Sequence, residues 1–220
     1  MGLKRMTLFA IAVLAFGASA VQAQIRITEV APWSSGNSPL GADWFELTNF
    51  GGAAVDVTGW RVDDSSAAFG SSLALNGITS IAAGESVIYL ENASSLASEF
   101  KTLWFGASAP AGLQVGYYSG SGIGLSTGGD GLNIYTGGGA LQASVSFGVT
   151  GAGPTYPTLD NTAGLTGSIS TFSAVGVNGA FTAFGNSLEI GSPGVAVPEP
   201  ATALLVLGAV GCAGLARRRR

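Results

Sequence analysis

The chain has 220 residues, with 13 acidic and 9 basic side chains, one cysteine and no histidine. The lack of histidine excludes Ser-His-Asp hydrolases, His-ligated zinc sites and histidine general bases. Within residues 24–197, twelve acidic and three basic residues give a net charge of −9, which argues against binding to nucleic acids.

The N-terminus is predicted to be a signal peptide, residues 1–23. Lys4 and Arg5 precede an apolar run, and small residues follow up to Ala23. This pattern predicts export and cleavage after Ala23, with signal peptidase as a partner during export. The alternative is an uncleaved anchor helix, but the run is short for a membrane span.

Residues 24–194 are predicted to form one all-β domain. Short runs of β-branched and aromatic residues alternate with glycines, and no long stretch has a helical period. Spacings of about ten residues between runs favour a β-sandwich. The predicted strands are Ile25–Val30, Trp44–Asn49, Trp60–Asp63, Ser72–Leu75, Ser86–Leu90, Leu113–Tyr118, Leu132–Tyr135, Ala143–Phe147, Thr171–Val177 and Phe181–Phe184.

Two Asn-Gly pairs predict hairpin turns, because both residue types tolerate positive φ angles. They are Asn76-Gly77 and Asn178-Gly179. The segment Ala93–Lys101 is predicted to be either one short helix or an irregular connection. The single cysteine, Cys212, lies outside the predicted domain, so the domain forms no internal disulfide.

The segment DWFELTN, residues 43–49, predicts a central strand of the sandwich. Strand alternation places Trp44 and Glu46 on one face, while Phe45 and Leu47 lie on the other. Large apolar side chains on both faces indicate that the outer face of this strand is also partly covered.

The order of motifs in this domain resembles the lamin tail domain, an immunoglobulin-like β-sandwich found in nuclear lamins and in many exported bacterial proteins. The resemblance implies that Glu46 is a structural residue, hydrogen-bonded within the sandwich. It also marks Trp44, Asn49, Gly59 and Trp60 as structural positions. The motifs that carry it are ITEV (27–30), DWFELTN (43–49), VTGW (57–60), IAAGE (81–85), GDGL (129–132) and SPG (192–194).

Four carboxylates are candidates for catalysis, and two of them for metal binding. A suitably spaced pair hydrolyses glycosidic bonds, so a secreted hydrolase of polysaccharide is the alternative function. Nothing in the sequence pairs them, which favours a protein that is not an enzyme. Two of the four are candidates for calcium, but their loop lacks the D-x-D-x-D spacing of a calcium site, which favours a solvated turn, and no cofactor is expected. The four are Asp43, Glu46, Asp63 and Asp64, the last two being the calcium candidates.

Residues 195–220 are predicted to be a sorting signal. The uncharged run 201–216 would span about 24 Å as a helix, a marginal length for a bilayer core of about 30 Å. Terminal arginines indicate the cytoplasmic side of the membrane. The parts of the signal are the tripeptide Pro198-Glu199-Pro200, the run 201–216, and Arg217, Arg218, Arg219 and Arg220.

This tail resembles the PEP-CTERM sorting signal, which an exosortase, a membrane-embedded cysteine transpeptidase, cleaves near the tripeptide. The resemblance implies transient anchoring in the inner membrane, then a place at the cell surface, in the outer envelope or outside the cell. The leading hypothesis is therefore an exported, non-enzymatic surface or matrix protein whose partners are exopolysaccharide or envelope proteins. Nucleic-acid binding needs a basic patch, which three basic residues do not provide.

Overall fold

The computed structural model describes residues 24–195. The predicted signal peptide with Ala23, the tripeptide Pro198-Glu199-Pro200, the predicted membrane helix 201–216 and the arginine tail lie outside the described residues. Among residues 24–195, no helix combines the length and the hydrophobicity that a membrane crossing needs.

The regular secondary structure of the described residues consists mainly of short strands. The helices are α1 (Ser34–Asn37) and α2 (Leu96–Phe105). The strands are β1 (Ile25–Ala31), β2 (Trp44–Asn49), β3 (Val55–Asp56), β4 (Arg61–Asp63), β5 (Leu73–Ala74), β6 (Ser80–Ile81), β7 (Ser86–Glu91), β8 (Val115–Tyr118), β9 (Asp130–Tyr135), β10 (Leu141–Phe147), β11 (Tyr156–Pro157), β12 (Leu159–Asp160), β13 (Gly167–Ile169), β14 (Phe181–Thr182) and β15 (Glu189–Gly191).

Two five-stranded sheets form the sandwich. The first has the order β12-β1-β2-β7-β8, and the second has the order β13-β10-β9-β4-β5. Neighbouring strands are antiparallel except β7 with β8 and β10 with β13. A small sheet, β11-β15-β14, and a pair, β3-β6, complete the set. The prediction of an all-β, immunoglobulin-like sandwich is confirmed.

The inner core lies between the two sheets. Strand alternation sends Phe45 and Leu47 of β2 into it, together with Tyr89 of β7. Leu132 and Val145 of the second sheet pack into the same cluster. Phe45 stacks on Tyr89 with ring centroids 5.6 Å apart, so the central strands of the first sheet are held together by an aromatic pair.

An outer core covers the opposite face of the first sheet. Trp44, which alternates with Phe45 along β2, meets Phe100 and Trp104 of α2 edge to face, at 5.3 and 5.4 Å between centroids. Helix α2 ends at Gly106, whose φ of +58° suits a residue without a side chain. The predicted covering of this face is therefore an aromatic cluster under a short helix.

The strand predicted at Thr171–Val177 is wrong. Only Phe172 makes an isolated bridge, to β12, and Gly176 takes a positive φ of +83° that breaks an extended run. Asn178 and Gly179 form the predicted tight turn, with φ angles of +48° and +81°. No strand flanks this turn on its N-terminal side, so it does not close a hairpin.

The second Asn-Gly prediction fails for a different reason. Asn76 makes an antiparallel bridge to Tyr117 of β8, so its backbone pairs with a distant strand rather than closing a hairpin. The segment Ala93–Lys101, for which the sequence left a helix or an irregular connection open, contains a helix. Helix α2 begins at Leu96 and extends to Phe105.

The outer core should carry a large share of the stability. Trp104→Ala removes a fully buried aromatic and should lower the free energy of unfolding by about 3–5 kcal/mol. Phe184→Ala is the control, because Phe184 is 77% exposed and its loss should change stability by less than about 0.5 kcal/mol. Urea denaturation measures both, and equal losses would contradict the assignment.

Candidate functional site

A pair of buried carboxyl groups lies at the centre of the first sheet. The pairing of β1 with β2 runs to Ile27 opposite Leu47 and resumes with Glu29 opposite Glu46, so Thr28 is an extra residue. Such a bulge changes which face the following residues occupy. Glu29 therefore lies beside Glu46 on the outer face, and their side chains are 0% and 3% exposed.

The last described residues cover this pair. The backbone N–H of Ser192 donates to Oε1 of Glu29 at 2.7 Å, and that of Gly194 donates to Oε2 of Glu46 at 2.6 Å. The turn between them needs the φ of +74° that Gly194 adopts. We call Glu29, Glu46 and the segment 192–195 the C-terminal clasp.

Hydroxyl groups extend the clasp across three strands. Thr28 Oγ1 donates to Glu46 at 2.6 Å and lies 2.8 Å from the hydroxyl of Thr48. Thr48 Oγ1 is 2.6 Å from Oγ of Ser86, which donates to the carbonyl of Val195 at 3.2 Å. The hydrogen-bond network therefore runs from β1 to the last described residue.

The clasp shifts the acidity of both carboxyl groups. Burial, together with the negative charge of the neighbouring Glu46, raises the pKa of Glu29 to about 8, against hydrogen bonds from Thr158 and Ser192 that lower it. Burial likewise raises the pKa of Glu46 to about 7, opposed by the hydrogen bond from Thr28. Near neutral pH the two groups are therefore only partly ionised, which makes their close approach tolerable.

Raised carboxyl pKa values also mark active sites, but they do so where a substrate reaches them. Glu29 and Glu46 lie beneath the clasp segment, and neither borders any of three surface grooves within residues 24–195, of about 430, 250 and 260 Å³. The nearest, of about 260 Å³, is bordered by Ser86, Leu113 and Gly194. The arrangement therefore binds backbone N–H groups of its own chain.

Asp63 is the last residue of β4 in the second sheet, and Asp64 begins the loop that follows, so neither lies in the sheet of the clasp. Asp63 is buried and accepts hydrogen bonds from Ser66 Oγ and Ala68 N, both at 2.7 Å, and from Ser71 Oγ at 3.0 Å. Asp64 accepts from Ser66 N at 3.0 Å. These oxygens close the loop after β4, and no group of three or more His, Cys, Asp or Glu side chains within residues 24–195 is placed to hold a metal.

Asp43 belongs to a set of carboxylates at one end of the sandwich. It accepts from Ser35 N at 2.7 Å, and burial raises its pKa to about 7. Glu91 donates its backbone N–H to the carbonyl of Asp43. Burial raises the pKa of Tyr118 strongly, and Glu91, Asp43 and Asp130 raise it further. We call this region the acidic end; its carboxylates are Asp43, Asp63, Asp64, Glu91 and Asp130.

The remaining positions singled out by sequence have roles in folding. Asn49 Nδ2 donates to the carbonyls of Ala53 and Ile81, at 2.8 and 3.0 Å, which ties the end of β2 to β6. Gly59 takes a φ of +75° in the turn before Trp60, which packs in the inner core. Trp44 lies in the outer core, so these residues shape the scaffold around the clasp.

Sequence reasoning missed Glu29. Strict alternation along β1 places Glu29 on the same face as Ile25 and Ile27, which point into the inner core. A charged residue in a core-facing register was itself a signal, because it indicates that the register shifts before Glu29.

A substitution at Gly191, which lies next to the clasp, tests how tightly the clasp is packed. A Cβ there would lie 2.6 Å from Oε1 of Glu29 and 2.9 Å from Cη2 of Trp104. We therefore expect Gly191→Ala to cost about 1–3 kcal/mol of unfolding free energy and to speed amide hydrogen exchange in residues 189–195. Gly148→Ala is the control, since a Cβ there meets nothing within 4 Å. Equal exchange in both variants would show that the clasp is loosely packed.

The clasp also predicts a pH dependence. Both pKa values are raised from 4.5, so the stability contributed by the two carboxyl groups is full below pH 4.5 and is lost as the pH rises through 7 and 8. The free energy of unfolding should therefore fall between pH 5 and 9, and Glu29→Gln should weaken that fall. The pKa of Asp43 is also raised, so some dependence of the unfolding free energy on pH should remain in the Glu29→Gln protein.

Urea midpoints measured across this range test the expectation. Glu99→Gln, at an exposed position of α2, is the matched control and should leave the curve unchanged. A Glu29→Gln protein with the slope of the parent chain would contradict the role given to Glu29.

Two family models match the chain. One, described as Lamin Tail Domain, matches residues 18–148, and the other, described as PEP-CTERM protein-sorting motif, matches residues 196–220. No curated protein matches the chain. Together the two matches identify an exported protein with a β-sandwich domain that is sorted by an exosortase. Because the first match covers more than half of the 220 residues, the chain belongs to the lamin tail domain family.

Proposed function

We propose that the chain is a non-enzymatic structural or binding component of the cell surface or extracellular matrix. The main support for this proposal is the position at which the sorting motif begins. It starts at residue 196, directly after Val195, whose carbonyl is held by Ser86 in the C-terminal clasp. Cleavage near Pro198-Glu199-Pro200 would therefore deliver the complete sandwich without removing any part of it.

The absence of enzymatic activity is supported by the environment of the candidate carboxylates. Glu46 is covered by the clasp, and Asp63 has three internal hydrogen-bond donors. These two lie in different sheets, and Asp43 is bound to the backbone of Ser35. We also propose that the domain works without a cofactor, because Asp63 and Asp64 already serve their own loop. No observation favours the polysaccharide hydrolase.

The negative charge of the domain restricts the kinds of molecule that we propose as its partner. A net charge of −9 over residues 24–197 repels polyanions, so a neutral polysaccharide or an envelope protein fits this surface better than an acidic polymer. The domain would then add a folded protein component to the material that surrounds the cell.

The test compares two alanine variants in the native cells. Substituting Pro198, Glu199 and Pro200 together should block processing, so the protein ending at Arg220 should accumulate in the inner-membrane fraction. The matched control combines Pro110→Ala with Glu99→Ala, two exposed positions of the domain, and should be processed like the parent. Cell fractionation followed by intact-mass measurement follows both variants.

For the parent chain we expect a mass that begins at Gln24 and ends between Pro198 and Pro200, in medium or outer-surface material. Glycosidase digestion of the matrix should release the domain if a polysaccharide is its partner. Parent protein retained in the inner membrane through Arg220 would contradict the proposal.

A further inference from the structure

Both ends of the described domain emerge at one end of the first sheet. β1 begins at Ile25, opposite Asn49, the last residue of β2. β7 begins at Ser86, opposite Thr48, and Ser86 holds the carbonyl of Val195. Since only β2 separates β1 from β7, the start of the domain and its clasped end lie roughly 10 Å apart across the sheet. We call this region the terminal end.

The length of chain outside the domain limits how far the terminal end can be from the membrane. Five residues, 196–200, separate Val195 from the predicted apolar run 201–216. An extended chain spans at most about 3.6 Å per residue, so Val195 lies within about 20 Å of that run. The predicted signal peptide ends at Ala23, directly before the domain. Both membrane-directed segments therefore join the domain at its terminal end.

The surface of the terminal end carries exposed aliphatic side chains. Leu165 is 60% exposed and sits in a turn whose Asn161 donates to the carbonyl of Ile27 on β1. Val177 is 51% exposed, in the turn where Gly179 lies directly against the side chain of Val195. Val175, 60% exposed, belongs to the same segment. These three are among the nine large hydrophobic side chains that the described residues expose, and they are available for contact with another surface.

Charge distinguishes the two ends of the sandwich. The acidic end carries five carboxylates and one basic side chain, Arg61, which binds Ser72 in the loop that Asp63 closes, so its net charge is −4. The terminal end carries Asp56, Glu85 and Asp160, which binds Asn178 in the turn of Val177, together with Arg26, so its net charge is −2. A membrane surface with any negative lipid therefore repels the acidic end more strongly than the terminal end.

We propose that the terminal end rests on the lipid headgroups of the membrane while the sorting tail is still attached. Leu165, Val175 and Val177 then lie at headgroup depth, and the acidic end points away from the membrane. This inference rests on the proposed function, because the sorting tail is what holds the chain at the bilayer. The contact fixes the orientation of the domain that precedes the sorting tail.

Site-specific fluorescence in vesicles tests the orientation. In the full chain with Cys212→Ser, single cysteines at Leu165→Cys and Val177→Cys are labelled with an environment-sensitive dye. Ser126→Cys, exposed beside Asp130 at the acidic end, is the matched control. The vesicles contain zwitterionic phosphatidylcholine and a lipid with a nitroxide on its headgroup. Quenching at positions 165 and 177 should exceed that at 126 by about twofold or more, because contact is limited to the interfacial layer.

A second variant separates tethering from orientation. Insertion of about 20 glycine and serine residues after Val195 gives the domain a flexible tether with an average reach of about 25 Å. This variant should still float with the vesicles, and the difference in quenching between positions 177 and 126 should disappear.

Each result decides a different point. Failure of the full chain to float with vesicles overturns the membrane step of the proposed function and the inference with it. Flotation with equal quenching at all three positions overturns the inference alone. Selective quenching that appears only in vesicles containing an exosortase overturns lipid contact and assigns the terminal end to the enzyme instead.

Discussion

Glu29 on β1 and Glu46 on β2 are buried side by side. The rest of the domain has to give these two carboxyl groups hydrogen-bond partners and has to limit the repulsion between their charges. Like charges directly opposite each other destabilise a sheet, and buried polar groups without partners are costly. Backbone N–H groups of Ser192 and Gly194 provide the partners, while partial protonation reduces the repulsion. The segment that precedes the sorting motif is therefore part of the sandwich and not a linker.

In many exported domains disulfides stabilise the fold, and in this domain the outer core provides that stabilisation. No cysteine occurs in residues 24–195, so nothing covalent crosslinks the two sheets there. Instead, Trp44, Phe100 and Trp104 cover the outer face of the first sheet, and such aromatic side chains bury roughly 150–250 Å² each. The same layer packs against Gly191, so the aromatic cluster and the C-terminal clasp support each other.

All the strands up to Phe147 except β3 and β6 could be predicted, because alternating or continuous apolar runs between turn residues mark them, whereas β3 and β6 have only two residues each. Beyond Phe147 the strands are two or three residues long, too short for alternation to be informative. The run Thr171–Val177 looks extended in composition, but Gly176 bends it. At the clasp, the family resemblance pointed to Glu46. Its partner Glu29 was hidden by the bulge at Thr28, and Ser192 lies 163 residues away from Glu29, beyond any local pattern.

The distance of 163 residues along the chain between Glu29 and Ser192 affects when the domain is able to complete its fold during export. The chain crosses the membrane N-terminus first, so Glu29 arrives outside early and Ser192 arrives only when most of the chain has passed. During this interval the outer face of β1 and β2 is incomplete, and long-range pairings of this kind form slowly. The residues that complete the fold, 192–195, directly precede the sorting motif, so they leave the membrane only just ahead of the tail. Export itself delays exposure of the cleavage segment until the domain is able to complete its fold.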